Sequence, residues 1–257
     1  MLQKLSFTLL AGFAFATHVL AQKFDVQKLH YNINAGFNIS WFTNDVGVFN
    51  KSYPGYAGSS YSQFDHYFRG SALVNVSLDY PVSPKFGVAA GLAYSGRGGG
   101  YKTEVKGITI RDNDNNDVSA NNNYNLKIDY MELPLLLQYN LRNPSSDKAF
   151  ILYGGIAPAV RVGSAARYVY YPEDVTVTTV DETKVKQYGL NNANVFNLHP
   201  ILGMQFGPNR DKNDFFIDLR FEYSLLPVFN NSSPYYNTQM WTGSFGFGWR
   251  GLFPGVR

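Results

Sequence analysis

Apolar and polar residues alternate with period two along most of the chain, as they do in strands whose two faces meet different surroundings. In a first segment Tyr31, Ile33, Ala35, Phe37, Ile39 and Trp41 share one face, and Asn32, Asn34, Gly36, Asn38 and Ser40 share the other. A second sets Phe68, Ala72, Val74, Val76, Leu78 and Tyr80 against Arg69, Ser71, Asn75, Ser77 and Asp79, with Leu73 out of step. In the third, Phe86, Val88, Ala90, Leu92 and Tyr94 oppose the small face Gly87, Ala89, Gly91, Ala93 and Ser95. The fourth, from about Tyr124 to Leu141, puts Leu126, Ile128 and Tyr130 against Asn125, Lys127 and Asp129, then moves its apolar residues to odd positions (Leu133, Leu135, Leu137, Tyr139). A bulge near Met131 would realign the two halves. Segments five and six have apolar faces Phe150, Leu152, Ile156, Val160 and Phe196, Leu198, Leu202, Met204, Phe206, opposite Arg161 and opposite Asn197, His199 and Gln205. The seventh opposes Phe215, Ile217, Leu219, Phe221, Tyr223 and Leu225 to Phe216, Asp218, Arg220, Glu222 and Ser224. The eighth opposes Trp241, Phe245, Phe247 and Trp249 to Thr242, Ser244, Gly246, Gly248 and Arg250. Pro134, Pro158 and Pro200 each remove a ladder donor within these segments.

The connections alternate in length. Those at about 81–85, 142–149 and 207–214 are short, whereas those at about 43–66, 97–123, 165–194 and 227–238 are long. Short turns at one end and long loops at the other predict an all-β fold: an eight-stranded antiparallel up-and-down transmembrane barrel with long extracellular loops and short periplasmic turns. Eight strands leave a lumen just wide enough for side chains, so the face rich in Gly, Ala and Ser must point inward and the aromatic face outward. The charges sort the same way. Arg69, Asp79, Lys127, Asp129, Glu132, Arg161, Asp218, Arg220, Glu222 and Arg250 all fall on the predicted lumen face. A basic residue facing lipid at mid-membrane costs about 2–4 kcal/mol, which explains the sorting if lipid lies outside. Tyr31, Trp41, Tyr80, Phe86, Tyr94, Tyr124, Tyr139, Phe150, Phe206, Trp241 and Trp249 stand at segment ends, where interfacial girdles form.

Composition narrows the classes further. The 257 residues are 45% hydrophobic, too apolar for a disordered chain, and only 16% charged against the roughly 25% usual in soluble domains. With no cysteine, disulfides, thiol catalysis and thiolate-bound metals are excluded. A net charge of +3 without any Lys/Arg-rich run argues against nucleic-acid binding. Residues 1–21 read as a cleaved secretory signal: Lys4, an apolar stretch from Leu5 to Ala16, then Val19-Leu20-Ala21 before Gln22. The apolar stretch is too short for a spanning helix, and no later run is long enough, so any insertion of the barrel domain, residues 22–257, must use strands.

Four stretches resemble the PorT-like family of Gram-negative outer-membrane β-barrel proteins: Phe86 to Gly99, Leu126 to Leu141, Phe150 to Ala157 and Phe215 to Leu226. The family's Tyr-x-Glu-x-Pro-Leu element matches Tyr130, Glu132, Pro134 and Leu135, and its Tyr-Ser-x-x-Gly-like element is kept loosely at Tyr94-Ser95-Gly96-Arg97-Gly98. The resemblance implies an eight-stranded barrel in the outer membrane, surrounded by its lipid. For some members it also implies association with type IX protein secretion.

The inward charges form either a salt-bridged plug or a polar conduit or ligand site, and the narrow lumen favours the plug. Gly246-x-Gly248-x-x-Gly251 lies inside a strand with no following helix and is no dinucleotide site. Asp112, Asp114, Asn116 and Asp117 begin like a calcium loop but lack its glycine and its final glutamate. After the signal only His30, His66 and His199 remain, none in a recognisable Ser/His motif, so no catalytic, cofactor-binding or metal-ligating residue is assigned. Tyr53, Tyr56, Tyr61, Phe64, Tyr168, Tyr170, Tyr171, Tyr235 and Tyr236 furnish the long loops with aromatics suited to protein contact. The leading expectation is a non-enzymatic barrel whose loops contact envelope or secretion proteins. A small-solute channel is the alternative, and a lipid-modifying enzyme comes third.

Overall fold

The computed structural model describes residues 28–43, 65–111, 117–142, 147–172, 186–189, 193–208, 214–230 and 238–252. Its strands are β1 (His30–Phe42), β2 (Asp65–Tyr67), β3 (Arg69–Pro81), β4 (Phe86–Arg111), β5 (Asp117–Glu132), β6 (Leu135–Asn140), β7 (Lys148–Pro172), β8 (Lys186–Gly189), β9 (Phe196–Pro208), β10 (Asp214–Tyr223) and β11 (Met240–Leu252). Antiparallel pairing runs β4-β3-β1-β11-β10-β9-β7-β5 and closes through β4–β5. β6 continues β5 between the same two neighbours, so the closed barrel has eight staves. β2 and β8 are short additions against β4 and β7. Closure leaves no open edge around the barrel wall, which a strand-built membrane span requires.

The sequence period sets the two faces. In β1, β9, β10 and β11 every predicted polar position is buried inside except Gly36, which is half-buried, while Ile33, Phe37, Leu202, Phe215, Phe221 and Phe247 lie exposed outside. The lumen glycines make room for large neighbours rather than simply avoiding lipid. A Cβ at Gly203 would strike the Tyr153 ring, one at Gly248 the Phe216 ring, and one at Gly246 the Asn34 amide. Leu73, out of step with its neighbours' polarity, keeps the strand's register and is buried inside.

The fourth segment departs from expectation. Its phase does not change near Met131: Leu126, Ile128, Tyr130, Glu132, Leu136, Gln138 and Asn140 all face inward, and Leu133, Leu135 and Leu137 face out. Lys127 and Asp129 therefore stand on the outer face, ion-paired at 2.9 Å, the lysine 43% exposed. The physical reason is a change of surroundings at the loop end. There the interior is an apolar plug of Phe42, Leu126, Ile128, Tyr130, Ala159, Ala193, Val228, Phe229 and Met240, so apolar side chains belong inside and charges outside. A register shift does lie beside Met131, between Asp129 and Tyr130, but its extra residue is Val162 of β7, so the faces of β5 do not exchange; the chain itself breaks at Leu133–Pro134. Hydrogen bonds from Leu133 N to Pro158 O (2.9 Å) and Gly91 N to Pro134 O (3.1 Å) hold that break in the wall.

The connections at 97–123 and 165–194 are not wholly loop, because β4, β5 and β7 run on beyond the barrel wall. Within β4 stands Gly98, whose φ of +147° is open to glycine and whose Cβ would meet the Leu126 carbonyl. Its amide donates to Ser40 Oγ at 2.9 Å. Gly98→Ala is expected to cost about 1–3 kcal/mol, read as a lower unfolding midpoint in detergent micelles.

Candidate functional site: the lumen network and the outer belts

Three arginines organise the lumen in successive tiers. At the turn side, Arg250 Nε donates to Asn32 Oδ1 (2.9 Å) and Nη2 to Gln205 Oε1 (2.6 Å). Asp79 lies 4.0 Å from that guanidinium and accepts from Gln138 Nε2 at 3.1 Å. The Phe216 ring, seated over Gly248, lies 5.0 Å from the Arg250 guanidinium. In the middle tier Asp218 accepts from Asn34 Nδ2 (2.9 Å) and from the Tyr153 hydroxyl (2.8 Å). Arg220 lies 3.8 Å from Asp218 and 3.7 Å from Glu222, linking this tier to the next.

The third tier is centred on Arg97, which is fully buried and bridges Glu132 (2.5 Å) and Glu222. Its Nε donates to Ser95 Oγ at 3.0 Å and its Nη1 to Thr242 Oγ1 at 3.4 Å. His199 Nδ1 lies 3.2 Å from Glu132 Oε1, and the imidazole packs edge-on against Tyr130 at 5.2 Å. Glu132, His199 and Glu222 bring one ligand-type atom each within 4.8 Å of one another, the donor set of a metal centre. Arg97 already stands between the two carboxylates, however, so the chain supplies its own cation there. Because the apolar plug lies above this tier, His199 is sealed from any bulky substrate.

Of the charges expected inside, Asp79, Glu132, Asp218, Arg220, Glu222 and Arg250 lie in these tiers. Arg69 and Arg161 are half-buried at the loop end, Arg69 against Gly98 and Arg161 donating to Ser164 Oγ at 3.3 Å. Lys127 and Asp129 lie outside, as described above. Arg97, bonded to Ser95, Thr242, Glu132 and Glu222, falls by sequence in the long connection at about 97–123, as does its neighbour Gly98. Its signal was available, since Ala89, Gly91, Ala93 and Ser95 continue at the same spacing to position 97. Tyr153 was likewise readable as the inward neighbour of Leu152.

The aromatic residues form two belts. Near the turns, Phe86 meets Tyr139 (5.0 Å) and Phe150 stacks on Phe206 (4.4 Å). Trp249 packs on Phe215 (4.8 Å), a residue the segment-end rule left out, and Tyr31 and Tyr80 complete this belt. Near the loops, Trp41 packs on Phe68 (5.4 Å) and Trp241 on Tyr223 (4.2 Å) and Phe221 (5.0 Å). Tyr94 is half-buried on the same outer face, in hydrogen-bonding contact with Asp129. The side chain of Tyr124 lies outside the described residues, as do those of His66, the loop tyrosines, Phe64 and the acidic run at 112–117.

A closed eight-stave barrel with a polar, filled lumen, an apolar exterior and paired aromatic belts is the architecture of an outer-membrane β-barrel protein. The chain matches the model of the outer membrane protein beta-barrel domain over residues 20–230 and belongs to that family. It resides in the outer membrane. No curated protein matches it. Among solved structures it is similar to Ail, the attachment invasion locus protein of Yersinia pestis, at 14% identity over 87% of this chain and 99% of that one (TM-score 0.38). It is also similar to the outer membrane protein OprG from Pseudomonas aeruginosa, at 14% identity over 88% and 98% of the two chains (TM-score 0.33). The outer membrane protease OmpT from Escherichia coli is similar at 11% identity over 91% and 100% (TM-score 0.37).

Proposed function

We propose that the protein is a non-enzymatic, partner-binding barrel of PorT-like character, associated with type IX secretion, whose loop-side sheet docks another envelope protein. Residues 1–21 would be removed on export. The observation that carries this reading is the contrast between a closed lumen and an elongated rim. Three arginine tiers and an apolar plug occupy the interior, which disfavours a small-solute channel and leaves His199 without access to a lipid substrate. Meanwhile β4, β5 and β7 continue past the wall to Arg111, from Asp117 and to Pro172. They form a projecting sheet bordered by β2 and β8, and β8 has a strand partner on one side only among the described residues. Such a border offers backbone donors and acceptors for strand addition.

A photo-crosslinking residue placed on β8, within 186–189, is expected to capture an envelope protein in intact cells, and a deletion strain is expected to lose export of secreted proteins. Absence of any adduct would refute the docking surface, and normal export would refute the secretion role.

A further inference from the structure

Across the outer face of β1, β9, β10 and β11 runs an apolar groove of about 760 Å³. Its floor lies at Gly243, where an added Cβ would meet nothing within 4 Å. The outward residues around it on β11 are Trp241, Phe245, Phe247 and Trp249, with Gly251 at the far end covered by Tyr31, so this glycine opens a gap in an aromatic row. Its cross-strand neighbours are Ile39 and Phe221. The walls are rings that brace one another: Phe37 against Phe245 at 5.9 Å, Phe221 against Trp241 at 5.0 Å, and Trp41 against Phe68 at 5.4 Å. Glycine within a strand forfeits side-chain packing and often marks a place where something else approaches closely.

We propose that this groove is a lipid-binding site that seats one acyl chain of a membrane lipid. The occupant follows from placement and chemistry. On β10 the groove residues Leu219 and Phe221 lie between the belt residues Phe215 and Tyr223, so what surrounds the groove in the outer membrane is hydrocarbon. The outward side chains of its walls carry almost no hydrogen-bonding capacity, which suits an alkyl chain and not a headgroup. A second copy of the chain is the other apolar candidate. The site is independent of the secretion reading and would stand if that reading failed.

Protein extracted from outer membranes in mild detergent is expected to show one retained lipid per barrel by native mass spectrometry. Gly243→Phe, which fills the floor, is expected to lower retention at least ten-fold while heat-modifiable gel migration reports a folded barrel; Gly243→Ile serves if the larger ring prevents folding. In vesicles containing phospholipid with brominated chains, Trp41 in single-tryptophan proteins should lose quenching on the same substitution, and Trp249 in the far belt should not. Absence of retained lipid in the unmodified protein, or equal retention after substitution, overturns the proposal. A lipid-free dimer that dissociates on Gly243→Phe overturns it too, and assigns the groove to a second copy.

Discussion

Arg97→Met is expected to lower the unfolding free energy by about 3–5 kcal/mol, the range for removing one partner of a buried ion pair. The loss comes less from the vanished attraction than from what remains. Glu132 and Glu222 would be left facing each other in a dry interior, with Arg220, 3.7 Å from Glu222, as the remaining cation beside them. If this account is right, neutralising the carboxylates in the same background should restore most of the loss, because a buried pair replaced whole by uncharged groups is often no less stable. Urea titration of wild type, Arg97→Met and Arg97→Met/Glu132→Gln/Glu222→Gln in detergent micelles, followed by tryptophan fluorescence, measures both effects. A loss below about 1 kcal/mol for the single variant would mean that water reaches the tier and that the lumen is not the sealed network described here.

How much of this was readable in the sequence depended on whether the outside of each strand stayed the same along its length. β1, β9, β10 and β11 lie between the two belts, with lipid outside and polar tiers inside, and their alternation alone gave both faces correctly. β5 leaves the belts partway. From Ile128 outward its inner face meets Phe229 and Met240 rather than ions, so the rule that charges face inward reverses for Lys127 and Asp129. A pattern of period two reports that two faces differ; it does not report which solvent each face meets, and that can change within one strand. Arg97 went unrecognised for a related reason. The Gly-rich run from Gly96 to Gly100 resembles a loop by composition, yet in this barrel it keeps β4 narrow where Phe42 and Leu126 crowd it. The metal-like grouping of Glu132, His199 and Glu222 comes from three separate strands, and no spacing along the chain could announce it.

The orientation of the whole barrel can be tested by depth. On β10, Leu219 stands midway between Phe215 in the turn-side belt and Tyr223 in the loop-side belt, with 38% of its surface exposed on the outer face. Leu219→Arg is expected to destabilise the protein in lipid vesicles by about 2–4 kcal/mol, the cost of a guanidinium facing lipid at the midplane. Leu225, beyond Tyr223 on the same side and similarly exposed, lies at the loop-side interface, where the guanidinium of Leu225→Arg can reach water and headgroups. There the expected cost falls to about 0–1 kcal/mol. The chemistry of the two substitutions is identical and their exposure in vacuum comparable, so only the surrounding solvent distinguishes them. Reversible unfolding of both variants in the same vesicles reads the gradient directly. Equal small costs at the two positions would place water outside the barrel, and with it would go the account of why the arginines, the carboxylates and the glycines that make room for their neighbours are all turned inward.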